Sequence, residues 1–203
     1  VYEAQTLPLA AEACRAALKQ SETVAQAITQ LVTVSCTGFA APGFDVGLID
    51  ALGLSPAVGR SHLGFMGCHG AINGLRVADA LANAQPDANV LLCCTELCTL
   101  HFQYGSHPQD AVANALFSDG AAALVGSATQ QTGSKPTTTS FRSLRLRGTD
   151  DMMSWRIGDH GFKMRLEPKV PDIIQRELKV AMHDWLSEHD LTIRDIQGWA
   201  IHP

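Results

Sequence analysis

No run of about 18 consecutive apolar residues occurs in the 203-residue sequence, so it offers no membrane-spanning helix. Basic charge is scarce: 15 Lys and Arg against 20 Asp and Glu leave a net charge of −5. That balance gives no electrostatic footprint for nucleic acid or for an acidic membrane surface. The one basic cluster, Arg142, Arg145 and Arg147, alternates with Leu144 and Leu146, as the wet face of a strand would. The N-terminus lacks a basic region followed by an apolar run, so no signal peptide is visible and a cytoplasmic location is expected. The chain opens at Val1 rather than Met, which leaves a leader on a longer precursor open. Short-period repeats and low-complexity tracts are missing as well.

Paired Cys-x-x-Cys spacing is another absence. The six cysteines are Cys14, Cys36, Cys68, Cys93, Cys94 and Cys98, several of them in apolar, strand-like runs. In a chain long enough to build a core they read as reduced thiols rather than a disulfide framework. Cys93, Cys94, Cys98, His101 and His107 invite a zinc reading. Adjacent residues on a strand point to opposite faces, however, and the intervals are not those of a structural zinc site, so no metal is expected.

What the sequence does have is an ordinary soluble composition, 46% hydrophobic and 17% charged, with 17 Gly and 9 Pro. Helical spacing of Ala10, Cys14 and Ala17 predicts a helix over 6–20, with Pro8 in its first turn. A β-branched strand follows at 31–35, then a helix over 44–52 with Val46, Ile49 and Leu52 inward, closed by Gly53. Further strands are expected at 60–66, 90–95, 120–126, 141–147 and 196–201. Helices are expected over about 70–83, 110–117 and 171–189, the last with Ile174, Leu178, Ala181 and Trp185 on one stripe beside Leu186. The Ser-, Thr-, Gln- and Gly-rich stretch 127–140 reads as a surface loop or a boundary between two halves, 1–127 and 128–203. Alternating helices and continuous apolar strands argue for a mixed or parallel sheet covered by helices, an α/β class. A domain rarely stops on an uncovered strand, so the ending at His202-Pro203 predicts a segment of a longer protein.

Residues 61–74 organise the rest. The first half reads as a short buried strand, and Ile72, Leu75, Ala78 and Ala82 open a helix after it. Cys68 therefore falls at a strand-to-helix turn, with Gly67 and Gly70 allowing a tight bend and a close approach by ligand. Free N–H groups and the helix dipole favour a thiolate there. A small buried hydrophobe is the competing reading. His69 is adjacent, but a side chain one residue along a helix points elsewhere, which ranks it below His202 as a partner.

Residues 63–74, with Ala115-Leu116-Phe117-Ser118-Asp119-Gly120-Ala121-Ala122-Ala123 and Gly198-Trp199-Ala200-Ile201-His202-Pro203, resemble the type III polyketide synthases, the chalcone and stilbene synthase family within the thiolase fold. The motifs stand in the family's order and at its intervals. The resemblance implies a duplicated α/β unit with a layered αβαβα core. This chain would hold the latter part of the first unit and the opening part of the second. The family's catalytic asparagine and a Gly-rich cavity loop would follow Pro203, and basic residues for the coenzyme A phosphates would precede Val1.

By the same resemblance Cys68 is the nucleophile that carries the acyl chain, and His202 the histidine that pairs with it and stabilises a developing oxyanion. Phe117 and Phe162 match gatekeepers between access tunnel and cavity, with plain core packing as the alternative for each. Cys36, Ala41 and His101 fall at cavity positions. Ala41 stands where plant enzymes have a methionine that crosses to the partner subunit, and His101 where they have a small threonine, which is more like a bacterial member. The implied activity is decarboxylative condensation of malonyl-coenzyme A onto a Cys-bound starter, by a homodimer whose substrates are coenzyme A thioesters and which needs no other cofactor. The competing readings are a ketoacyl synthase III-like initiator of fatty-acid synthesis, a non-catalytic thiolase-fold relative, and a Cys–His hydrolase.

Overall fold

The computed structural model describes residues 1–105, 107–128 and 136–202. Contacts divide it into two units, Val1–Thr139 with Ile157–Lys163, and Ser140–Arg156 with Met164–Pro203. Half of the expected loop at 127–140, residues 129–135, lies outside the described residues, as does Pro203 of the last motif.

The first unit is built on a four-stranded sheet in the order β2-β1-β3-β4, formed by β1 (Gln30–Ser35), β2 (Gly59–Gly64), β3 (Asn89–Leu97) and β4 (Asp119–Ser127). β1 runs parallel to β2 and β3, and β4 closes one edge antiparallel to β3. The central strands are apolar on both faces because both faces are covered. On one side Leu31, Leu91 and Cys93 pack with Ala10, Cys14 and Leu18 of α1 (Tyr2–Ser21) and Phe44 and Leu48 of α2 (Phe44–Leu52). On the other, Val32, Val34, Val90 and Leu92 pack with Ala78 and Ala82 of α3 (Gly70–Ala84). Cys93 and Cys94 part to opposite faces, as adjacent strand residues must.

Several sequence expectations shift. α1 starts four residues earlier than expected, so Pro8 lies inside the helix rather than in its first turn. α2 has the expected bounds, with Gly53 left-handed at φ 65°, but Phe44 and Leu48 form its buried face and Val46 does not. β2 is an edge strand with alternating exposure, not a buried one, because among the described residues only β1 lies beside it. Ile72 is exposed, and the face of α3 against the sheet is instead Gly70, Gly74, Ala78 and Ala82.

This small-residue stripe sets how close α3 lies to the strands. A Cβ on Gly74 would sit 2.8 Å from Leu92 Cδ1 and 2.9 Å from Val34 Cγ2, and one on Gly70 2.9 Å from Val34 Cγ1. Those methyls belong to buried side chains with no free space to move into. Gly74→Val is expected to cost about 1–3 kcal/mol through overpacking. Thermal unfolding should register it as a drop of several degrees, and an unchanged midpoint would mean that the helix can lift without loss.

After β3 the chain makes a 3-10 turn (Cys98–His101), then α4 (Pro108–Leu116) with Pro108 at its start, and returns through β4. A hairpin of β5 (Met153–Gly158) and β6 (Gly161–Leu166), which the sequence reading missed, follows; its tip belongs to the first unit.

In the second unit, α5 (Val170–Ser187) forms as expected, yet of its apolar stripe only Leu186 is buried; Ile174 and Leu178 are about half exposed. Residues 141–147 and 196–201 are not strands. Among the described residues neither has a strand beside it, and alternation supplies a strand's faces but not its hydrogen-bond partner. Arg145 pairs instead with Asp150, at 2.8 Å, and Arg142 with Glu188. No helix among the described residues is long and apolar enough to cross a membrane.

Candidate active site

Cys68 lies between the end of β2 at Gly64 and the start of α3 at Gly70. The connection is tight: Phe65 (φ 58°) and Gly67 (φ 69°) are both left-handed, and the Gly70 amide donates to the Gly67 carbonyl at 2.9 Å. Nothing lies within 4 Å of a Cβ placed on Gly67, so the glycine is needed for its φ and not for space. The turn presents Cys68 exposed, which removes the buried-hydrophobe reading. His69 is the N-cap of α3 without a side-chain cap bond.

The electrostatics differ from the expectation that the helix start would favour thiolate. Burial by the surrounding protein and the Glu96 carboxylate push the Cys68 thiol up; its own backbone amide pulls it down and loses. Cys68 sits one position outside the N-cap, and the pull of the helix start there does not overcome burial and Glu96.

Glu96 was not singled out from sequence. It is the one carboxylate in the apolar run of β3, and a half-buried acid must be met by donors. The Cys36 amide donates to both its oxygens, at 2.9 and 3.0 Å, and the Thr37 hydroxyl donates at 2.7 Å. Thr37 Oγ1 also accepts from the Leu97 amide at 2.8 Å. Burial nevertheless pushes the Glu96 carboxyl up against the pull of these donors and of His62. Its charge reaches each thiol around it: Cys36 and Cys68 are raised, and Cys98 is pushed up to about 11, in each case by burial first and Glu96 second. Cys36 Sγ lies 3.7 Å from the Gly67 carbonyl, which brings Cys36 and the Cys68 turn together.

Glu96→Gln should therefore lower the Cys68 and Cys98 thiols, moving the pH midpoint of Cys68 alkylation by iodoacetamide down. Peptide mass mapping across pH would read it. A midpoint that stays put or rises would remove Glu96 as the source of the shift.

The loop after β1 is pinned from below. The Tyr2 hydroxyl donates to Ser35 Oγ at 2.8 Å, and its ring lies so flat on Gly38 that a Cβ there would be 2.2 Å from Cδ2. Ala41 is exposed and leads into a cis bond to Pro42. Asp119 holds the 3-10 turn, accepting from the Thr99 amide at 2.8 Å and the Thr99 hydroxyl at 2.6 Å.

His101 and Phe162, sixty-one residues apart, are brought into contact: their rings stack at 4.3 Å with planes 3° apart. Phe117 is the C-cap of α4, partly buried. A shallow groove of about 730 Å³ lies nearby, between Phe102, Tyr104, Ala111 and Ala115. His202 belongs to the second unit, exposed in a stretch without regular structure. Cys68, Cys36, Glu96 and His101 thus form one constellation in the first unit. Among the described residues no three His, Cys, Asp or Glu side chains are grouped to hold a metal ion.

With Cys68 at the turn from a strand into a helix, on a mixed sheet covered on both faces, the chain carries a part of the thiolase-like α/β fold of its solved structural neighbours. Within that fold the chain belongs to the chalcone and stilbene synthase family: residues 1–129 match the chalcone and stilbene synthases, N-terminal domain. It is 35% identical, across its whole length, to an alpha-pyrone synthesis polyketide synthase-like protein of Mycobacterium tuberculosis, covering 52% of that protein. It is 35% identical over 97% of its length to the 1,3,6,8-tetrahydroxynaphthalene synthase of Streptomyces peucetius, covering 53% of it. The crystal structure of PKS-I from the brown alga Ectocarpus siliculosus superposes with a TM-score of 0.92 at 31% identity, over 98% of this chain and 53% of the other. The chain spans about half the length of the curated relatives it matches.

Proposed function

We propose that the protein is a type III polyketide synthase, an acyltransferase that condenses malonyl-coenzyme A with a starter held on Cys68. The observation that carries the reading is the exposed Cys68 at the turn into α3, inside the segment that matches the family's N-terminal domain. In the proposed cycle Cys68 Sγ attacks the carbonyl of an acyl-coenzyme A, and the coenzyme A thiolate leaves. Malonyl-coenzyme A loses carbon dioxide, and the resulting enolate attacks the acyl-Cys68 carbonyl. A carbon–carbon bond forms, the Cys68 thiolate is released, and the extended chain remains on coenzyme A.

His202, as imidazolium, is the cation that would hold Cys68 ionised and donate to the carbonyl oxygen as charge develops on it. Phe117 and Phe162 would wall the cavity and keep water from the enolate. Cys36 and His101 would line it. Coenzyme A thioesters are the substrates, no resident cofactor is required, and a cytoplasmic homodimer is the proposed working form.

The test is to incubate the full chain with malonyl-coenzyme A and a panel of acyl-coenzyme A starters, following carbon dioxide and the intact mass. An acyl adduct on Cys68 with carbon dioxide release is expected. Neither appearing with any starter would sink the reading.

A further inference from the structure

We propose that Cys36 is a resolving thiol: after a peroxide oxidises Cys68, Cys36 closes a reversible disulfide onto it and keeps the nucleophile from irreversible loss. The pairing is a matter of the two thiols alone; that it halts acyl loading rests on the condensing function proposed above.

The sheet brings the two cysteines together. β1 and β2 run side by side in parallel, and their last residues, Ser35 and Gly64, are register partners. Cys36 follows one strand and the turn carrying Cys68 follows the other, so both leave the same end of the sheet. Side chains alternate along a strand, which puts Cys36 on the face of Val34, and Val34 packs on the α3 side. A Cβ on Gly70, two residues after Cys68, would lie 2.9 Å from Val34 Cγ1, so the turn into α3 sits over that face.

The contact made there bounds the reach. Cys36 Sγ lies 3.7 Å from the Gly67 carbonyl oxygen. In a trans peptide that oxygen is about 2.8 Å from the next Cα, here that of Cys68. Cys36 Sγ is therefore within about 6.5 Å of the Cys68 Cα. Cys68 is exposed on its turn, so its side chain is free to rotate toward Cys36. Gly67, at φ 69° and with nothing within 4 Å of a Cβ placed on it, leaves the turn room for the small adjustment that disulfide geometry asks. Cys98, in the 3-10 turn after β3, feels the charge of both thiols and is the competing partner.

The order of events follows from exposure. Cys68 is exposed and Cys36 half-buried. Burial and Glu96 hold Cys36 as the thiol, while the condensing function requires Cys68 as the thiolate, the form that peroxide oxidises. Cys68 Sγ attacks one oxygen of hydrogen peroxide: an S–O bond forms, the O–O bond breaks and hydroxide leaves. The sulfur is oxidised to the sulfenic acid and the peroxide is reduced. Cys36 Sγ then attacks Cys68 Sγ: the S–S bond forms, the S–O bond breaks, and the hydroxyl departs with the Cys36 proton as water. Two thiols and one hydrogen peroxide give one disulfide and two waters. With no second thiol in reach, further peroxide takes the sulfenic acid to the sulfinic acid, which thiols do not reverse. A dithiol reductant reopens the disulfide by exchange.

The test uses the full chain, treated with hydrogen peroxide, blocked with N-ethylmaleimide and mapped as peptides without reduction. The expected product is a Cys36–Cys68 cross-link within one chain, lighter than the two thiol peptides by two hydrogen atoms. Starter loading should be lost on treatment and return with dithiothreitol. In Cys36→Ser, dimedone, which captures sulfenic acids, should label Cys68. Prolonged peroxide should then give the sulfinic acid there, and dithiothreitol should not restore loading, measured against that variant's own untreated level. Should Cys36→Ser fail to fold, the cross-link and its reversal in the unaltered protein still decide.

Cys68 passing to the sulfinic acid in the unaltered protein without a cross-link would overturn the proposal. So would a link from Cys68 to Cys98, a link between two chains, or Cys36→Ser regaining its loading as fully as the unaltered protein. A protein that forms the cross-link but loads no starter would remove the condensing function and leave the pairing standing.

Discussion

Cys68→Ala is expected to keep the fold and to lose acyl transfer by on the order of 10⁴-fold. The fold should survive because Cys68 is exposed on a turn whose geometry is fixed by its neighbours, Phe65, Gly67 and Gly70. Substitutions at such sites usually stay within about 0.5 kcal/mol. The loss should be severe because the thiols closest to hand are poor substitutes. Cys98 is pushed up to about 11, so very little of it is thiolate near neutral pH. Cys36 is raised by burial first and by Glu96 second, and the backbone of Gly67, Met66 and Phe65 does not pull it back. Intact mass after incubation with acyl-coenzyme A, together with carbon dioxide release, reads both halves of the cycle. An adduct that moves to Cys36 or Cys98 with condensation continuing would show that the thiol wall, and not Cys68, carries the chain.

The first unit was legible because its signals are local. The runs at 31–35 and 90–95 are apolar on successive residues, which only a strand covered on both faces tolerates, and both became central strands. Gly53 and the Gly-rich turn at Cys68 marked backbone that few other residues adopt. The misreadings concern features that need a partner. After α1 the chain makes a 3-10 turn at Ala25–Ala27 and enters β1, which β2 and β3 flank. After α5 it makes a 3-10 turn at Ile193–Asp195 and enters 196–202 in the same order, with no strand beside it among the described residues. The two segments have similar capacity and differ in their neighbours.

The site divides in the same way. Cys68 announces itself by motif and by turn. Glu96 could have been found as an acid inside an apolar strand, since burial obliges donors to surround it. The pairing of His101 with Phe162 joins residues sixty-one apart through a hairpin that carries no strong sequence signal.

In the full chain, His202→Gln is expected to raise the apparent pKa of Cys68 by about 1–3 units, the range of a neighbouring opposite charge. Left to the residues around it, Cys68 lies above the ordinary thiol value, because burial and Glu96 both penalise the anion. A condensing cysteine must be ionised near neutrality, so the proposed mechanism requires a cation strong enough to reverse that sign, and His202 is its candidate. The alkylation midpoint of Cys68 should then lie below that of a free thiol in the unaltered protein and above it in His202→Gln. Once the midpoint passes the working pH each further unit lowers the thiolate fraction tenfold, so loading near neutral pH should fall, by up to about 10²-fold. Adding Glu96→Gln to His202→Gln should bring the midpoint part of the way back down, since it removes the opposing anion. A midpoint that His202→Gln leaves in place would exclude His202 as the cation, while the loss in Cys68→Ala would still stand. The two substitutions therefore test the nucleophile and its activation separately.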